Sequence, residues 1–372
     1  MYYQDNFSKI FREEVGLHQY LAEVETHAWW ERVPCKSIEV LTAEGNAESV
    51  TPISGAETDE VLSDTMKHTQ LLVKAMGNVY LLGGTALPTI QRRARISGNA
   101  LSEVKKPILA YILNECLGVS KGKALLRFFE GKIRAIHSGD PKDYSIIHMM
   151  DIFMAASAYV NGDFEDVSFA GGFTDHSLTT AAWSVKDERM LGAYRDLMKQ
   201  YGRETQEQLR TEIRIMTSDV AASGANVCYS MKEGENTIIL GKALKTIHRG
   251  RRGIDEVEEN IRQIFEFYKE TLRGMSRLFD VQVRYPANAM AGIMKSVGIG
   301  KKLIAETVER FKTESGNQAC TAYDAYCGIC QALSLAKEKG SKERAMLELE
   351  EDISKCITKK WSDYDIPGEI RY

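Results

Sequence analysis

Proline and tryptophan are scarce in this 372-residue chain, at 7 and 4 residues, and cysteine is odd in number, at 7. So little proline, beside an ordinary 27% of Asp, Glu, Lys and Arg, excludes collagen-like, proline-rich and disordered compositions. Long apolar runs are missing too. The longest, at 71–82 and 108–117, fall well short of the roughly twenty residues that a membrane-spanning helix needs. The opening MYYQDNFSKIFREEVG has neither the basic stretch nor the apolar stretch of a secretory leader, so a cytoplasmic location is expected. The seven cysteines fall mostly within apolar patterns, which agrees with a reducing compartment.

Catalytic signatures are absent as well. Nothing matches HExxH, GxSxG, a GxGxxG between strand and helix, or the zinc deaminase pattern. GVSKGKA (118–124) and VGIGKKL (297–303) approach a phosphate loop but miss its glycine spacing, and the first has Ala124 where magnesium needs a hydroxyl. Either could still hold one phosphate of a polymer through backbone amides and a lysine. Cys327 and Cys330 form a CxxC with no second ligand pair nearby, so no metal and no cofactor is expected. His137 with Asp140 or Asp143 is the one arrangement that offers a general acid and base, and an Asp-Pro turn explains the same letters.

What is present is a charge step. Residues 1–70 carry 5 basic and 13 acidic side chains, and residues 71–150 carry 12 basic and 5 acidic, a surplus of 7 that the overall charge of -4 hides. Such a surplus can neutralise a polyanion, with the acidic stretch shielding it or pairing with a neighbouring protomer. Solvated helix faces of varying charge account for the same numbers.

Hydropathy divides the chain into an acidic arm at 1–58, an α+β core at 59–280 and a helical region at 281–372. The arm reads as a short helix and an edge strand, followed at 46–58 by a soft linker. Helix is expected at 59–76, at 89–96, at 101–117 and at 187–210, and as one long amphipathic element at 257–279. ALLRFFEGKIRAIHS reads as a hairpin around Glu130-Gly131, and DVSFAGGFTDHSLTTAAWSV as another turning near Gly171-Gly172. Further strands are expected within 211–220 and 226–250, around Gly234. Beyond residue 287 come four helical segments broken at Gly298, Gly316 and Gly340. The fold expected is α+β: a central antiparallel sheet of successive hairpins, flanked by N-terminal helices and a C-terminal helical bundle.

Nucleic-acid sheets use cations for phosphates and flat rings for bases, and the hairpin RFFEGKIR carries both. Arg127, Lys132 and Arg134 are its candidate phosphate contacts, with Arg92, Arg93 and Arg95 on a helix and Arg249, Arg251 and Arg252 just before another. Phe128, Phe129 and Tyr229 are the candidate stacking residues. Successive strand residues face opposite ways, so one phenylalanine is core and the other available, unless both are core and the arginines only guard a sheet edge.

Three stretches carry a resemblance: IRAIHSGDPKDYSIIHMMDIF, ANVCYSM and NQACTAYDAYCGICQALS. They are similar to segments of the phage and plasmid-borne proteins grouped as domain of unknown function 932, over about residues 70–340. The resemblance implies a mobile-element setting and no assigned activity. The expectation is therefore a non-enzymatic, oligomerising nucleic-acid-binding protein of a phage or other mobile element, a binder or annealer of single-stranded DNA. The alternative is an assembly subunit or host-defence inhibitor acting through the acidic arm.

Overall fold

The computed structural model describes residues 2–53, 57–205, 208–220, 224–234, 236–246, 253–370 and 372. Two sheets organise it. Their strands are β1 (Ser8–Phe11), β2 (Ala28–Pro34), β3 (Glu39–Thr42), β4 (Leu71–Ala75), β5 (Asn78–Leu82), β6 (Lys123–Phe129), β7 (Lys132–Ser138), β8 (Glu165–Asp175), β9 (Thr179–Lys186), β10 (Leu209–Thr217), β11 (Ala225–Glu233), β12 (Asn236–Ile239) and β13 (Leu244–Thr246). The first sheet has the order β2-β6-β7-β5-β4-β3, with only β5 and β7 parallel. The second has the order β1-β8-β9-β10-β11-β12, with β13 also pairing on β11. The class is α+β, and β6–β7, β8–β9 and β10–β11 are successive hairpins as expected. These thirteen strands are divided between two sheets where one was expected, and a third sheet of two short strands pairs Gln282–Val283 with Cys320–Thr321.

The described residues of 1–58, the stretch expected as an acidic arm, are built into both sheets. They supply β1 to the second sheet and both edge strands, β2 and β3, to the first. The expected linker also lies on the sheet: the Thr51 amide donates to the Val79 carbonyl, and the Val79 amide to the Thr51 hydroxyl. The helix expected at 59–76 ends at Lys67, and β4 and β5 follow around Met76-Gly77. Both turn residues have positive φ, 53° and 81°, the two-residue geometry that matches strand twist. A short apolar run such as LLVKA suits a buried strand as well as a helix, so periodicity alone does not separate them.

Other boundaries move for local reasons. The second hairpin turns at 175–178, where the Asp175 carboxylate accepts from the amides of Ser177 and Leu178, while Gly171 and Gly172 lie inside β8 beside a bulge. The helix expected at 187–210 stops at Gln200, and the long one at 257–279 is two helices, Ile254–Arg262 and Ile264–Asp280. The C-terminal helices break where expected, with Gly298, Gly316 and Gly340 at φ of 102°, 68° and 69°.

Strand alternation assigns the faces. On β10, Ile213 and Ile215 enter the larger core, which the C-terminal helices complete, while Glu212 and Arg214 face the other way. The first sheet is buried on both sides. Phe128, Leu126 and Ile133 pack under the helices Ala86–Arg93 and Lys106–Val119, whereas Phe129 belongs to the larger core.

Candidate nucleic-acid interface

The basic residues of 71–150 fall into two populations. In the hairpin, Arg127, Lys132 and Arg134 are buried, which removes them as phosphate contacts. Arg127 Nε donates to Asp219 Oδ2 at 2.8 Å, and its guanidinium lies 5.1 Å from the Trp30 ring. Lys132 Nζ donates to Asp5 Oδ1 at 3.1 Å and to Asp64 Oδ2 at 2.5 Å, and Arg134 Nη1 donates to Asp5 Oδ1 at 2.6 Å. Part of the charge step is thus satisfied within one fold, because Asp5 and Asp64 of the first seventy residues meet Lys132 and Arg134 of the hairpin, while Arg127 pairs with Asp219. Burial pushes the Asp64 carboxyl up, but the hydrogen bond and charge of Lys132 outweigh it and hold the group below its ordinary range. His176, which contacts the Gln4 carbonyl at 2.8 Å, is held well below the ordinary histidine value by burial and by the Arg134 charge.

The proposed stacking residues are buried as well. Phe128 and Phe129 occupy opposite faces, and each face is covered by a core. Tyr229 is buried with its hydroxyl donating to Asp187 Oδ2 at 2.7 Å. Arg249, Arg251 and Arg252 lie outside the described residues.

The second population gathers at the opposite end of β6. Arg93 Nη2 donates to the carbonyls of Lys121, at 2.6 Å, and Lys123, at 3.3 Å, which ties the end of the helix Ala86–Arg93 to the loop before β6. The Cys35 amide donates to the Gly122 carbonyl and brings Lys36 to the same loop. The Gly139 amide donates to the Lys123 carbonyl and brings the turn that carries Lys142. Arg92 and Arg95 flank Arg93 in sequence, and both are exposed. None of these seven side chains, Lys36, Arg92, Arg93, Arg95, Lys121, Lys123 and Lys142, forms an ion pair with a described residue, in contrast to the three cations of the hairpin. The acids of the nearby turn are engaged in the turn itself: Asp140 accepts from the Lys142 amide at 2.9 Å and Asp143 from the Ser138 hydroxyl at 2.8 Å.

That turn chemistry also bears on the acid–base reading. His137 is buried, stacked on Tyr144 at 4.0 Å, with Nε2 3.2 Å from the Asp219 carbonyl. Of the phosphate-loop near-misses, 118–123 runs from the end of the helix Lys106–Val119 into β6, so no helix start is available there, whereas Lys301 does open a helix after Gly300. Asp5, Asp64 and His68 are the one grouping of metal-type ligands among the described residues, and the Lys132 ammonium already bridges its two carboxylates. Cys330 is buried, with its thiol pushed up to about 11 by burial, and burial raises Cys327 further. No helix among the described residues is long and apolar enough to cross a membrane.

Two features escaped the sequence reading. Trp29 is 48% exposed and lies flat on Phe128, with centroids 4.7 Å apart and planes 4° from parallel. Its sequence signal is the doublet Trp29-Trp30 in an alternating segment, where one ring must face outward. The other is a clamp in which Arg214 bridges Glu212 and Glu350 at 3.0 and 2.6 Å while Lys232 also approaches Glu212 at 3.4 Å. Two cations balance two carboxylates there, so the clamp joins β10 to the helix Glu343–Cys356 and leaves no net charge. Comparison of the chain with protein-family models, curated proteins and solved structures finds no match in any of the three.

Proposed function

We propose that the protein binds a nucleic-acid strand through the cations gathered around residues 121–123, without catalysis. The observation that carries this reading is that the Arg93 side chain and backbone bonds from Cys35 and Gly139 join, at residues 121–123, segments carrying seven Lys and Arg residues that form no ion pair with a described residue. Each would neutralise a backbone phosphate and release a counterion, which suits sequence-independent binding. The interface excludes Arg127, Lys132, Arg134, Phe128, Phe129 and Tyr229 and keeps Arg92, Arg93 and Arg95. Single-stranded DNA is the proposed ligand, in the cytosolic, mobile-element setting that the sequence resemblance implies. Seven unpaired cysteines agree with a reducing compartment. Self-association is part of the proposal, supported by Ile108, Tyr111 and Val119, which are 50%, 65% and 82% exposed on one helix.

The test is binding of the full chain to labelled single-stranded and duplex oligonucleotides across a salt series, with molecular mass measured in parallel. Binding that weakens steeply with salt, is stronger for single strands and is lost in Lys121→Glu/Lys123→Glu is the expected result. No binding at low salt, or binding indifferent to salt, overturns the reading in favour of a protein partner.

A further inference from the structure

Where the Glu130-Gly131 turn ends the first sheet, a cavity of about 350 Å³ opens between the strands and the segment around Pro52 and Ile53. Its position follows from the turn. Glu130 and Gly131 both have positive φ, 50° and 74°, and a side chain at Gly131 would run into Ile53 at 2.5 Å, so the segment carrying Ile53 is seated against bare backbone. Trp29 supplies an aromatic wall, held rigidly because one of its faces rests on Phe128 while Tyr80 meets Phe128 edge-on at 4.8 Å. Its ionisable side chains include the Glu130 carboxylate and the His27 ring, 3.6 Å apart, and Thr51 and Tyr80 add hydroxyls to the lining.

This combination is selective. A preorganised indole with one open face attracts flat π-systems, and a volume of about 350 Å³ is at the small end of ligand cavities, the size of a nucleoside. The Glu130 carboxylate accepts hydrogen bonds and repels anions, so it suits an amino edge and turns a phosphate outward. We propose that the cavity binds a nucleobase with an exocyclic amino group, laid on the open face of Trp29 with that amino group toward Glu130. The base could come from a free mononucleotide or from an unstacked residue of a bound strand, and only the second source rests on the polynucleotide reading. In the register of β2 and β6, Trp29 opposite Phe128 stands five residues from Pro34 opposite Lys123. That is about 17 Å at ~3.3 Å per residue, so one strand could reach both the cations and the cavity.

The experiment is a tryptophan-fluorescence titration of the full chain with CMP, AMP, UMP and a short oligodeoxycytidylate at low salt. Trp183 and Trp361 are buried and Trp30 is half-buried, so Trp29 is the most exposed of the four tryptophans. Saturable quenching by CMP and AMP is expected, with UMP roughly tenfold weaker for want of the amino donor. Trp29→Leu should abolish the quenching, and Glu130→Gln should keep binding but remove the preference over UMP. Circular dichroism checks that both variants fold, and Glu130→Gln, a near-isosteric change on a half-buried turn, keeps the test open should Trp29→Leu not fold. Quenching by the oligonucleotide alone, lost in Trp29→Leu, supports the strand-borne source. Mononucleotide quenching without oligonucleotide binding supports the cavity and removes the polynucleotide reading. Salt-steep oligonucleotide binding indifferent to both substitutions keeps that reading and overturns the cavity proposal, as does the absence of saturable quenching by any probe.

Discussion

Replacing Lys132 by methionine separates a structural cation from a ligand-binding one. Lys132 has no solvent exposure and donates to Asp5 at 3.1 Å and Asp64 at 2.5 Å. Asp5 keeps a partner in the variant, since Arg134 still donates to it at 2.6 Å, so the uncompensated charge is that of Asp64, left with the Asp5 amide at 3.0 Å and His68 at 3.4 Å. Removing one partner of a buried pair costs about 3–5 kcal/mol, against 0–1 kcal/mol for an exposed pair. The retained contacts place this case at the lower end, near ~3 kcal/mol. Urea unfolding of the full chain should show that loss, and Asp64→Asn in the same chain should recover part of it, because the orphaned carboxylate is then gone. The salt dependence of oligonucleotide binding should stay unchanged. A loss below about 1 kcal/mol, or a shallower salt slope in Lys132→Met, would refute the assignment of this lysine to the fold.

Further expectations follow from the same geometry. If Lys121 and Lys123 each contact a phosphate, Lys121→Ala/Lys123→Ala should reduce the slope of log K against log salt by about 1.4 for a single strand, at ~0.7 per phosphate, with little change in stability. Acidification should weaken the fold in two ranges. His176 is held neutral in the folded state, so its contribution is present above the unfolded value of about 6.5 and lost as pH falls below it. Asp64 and Asp324 have depressed carboxyls, Asp324 because its ion pair with Arg203 outweighs burial, so theirs is present above about pH 4 and lost below. Urea midpoints across pH should show both ranges, and His176→Gln should remove the upper one. Thiol titration near pH 8 should be slow at Cys356, which is buried and whose thiol burial pushes up to about 12, and rapid labelling of it in the folded protein would contradict this packing.

Local chemistry was enough to specify the hairpin at 123–138, the breaks at Gly298, Gly316 and Gly340, and the α+β class. Strand alternation, a two-residue turn and left-handed helix ends depend on neighbours within a few positions, so they are legible in one dimension. What only the tertiary structure decided is which surfaces remain. Arg127 and Lys132 have the same letters in an edge hairpin as in a central one, but β6 and β7 became inner strands once β2 and β5 paired beside them, and cores then covered both faces. The cations without ion pairs lie on segments that bonds from residues far apart in sequence draw around Gly122. The exposure of Trp29, like the pairing of Asp5 with Lys132, arises from contacts over a hundred or so residues of separation, which no local pattern encodes.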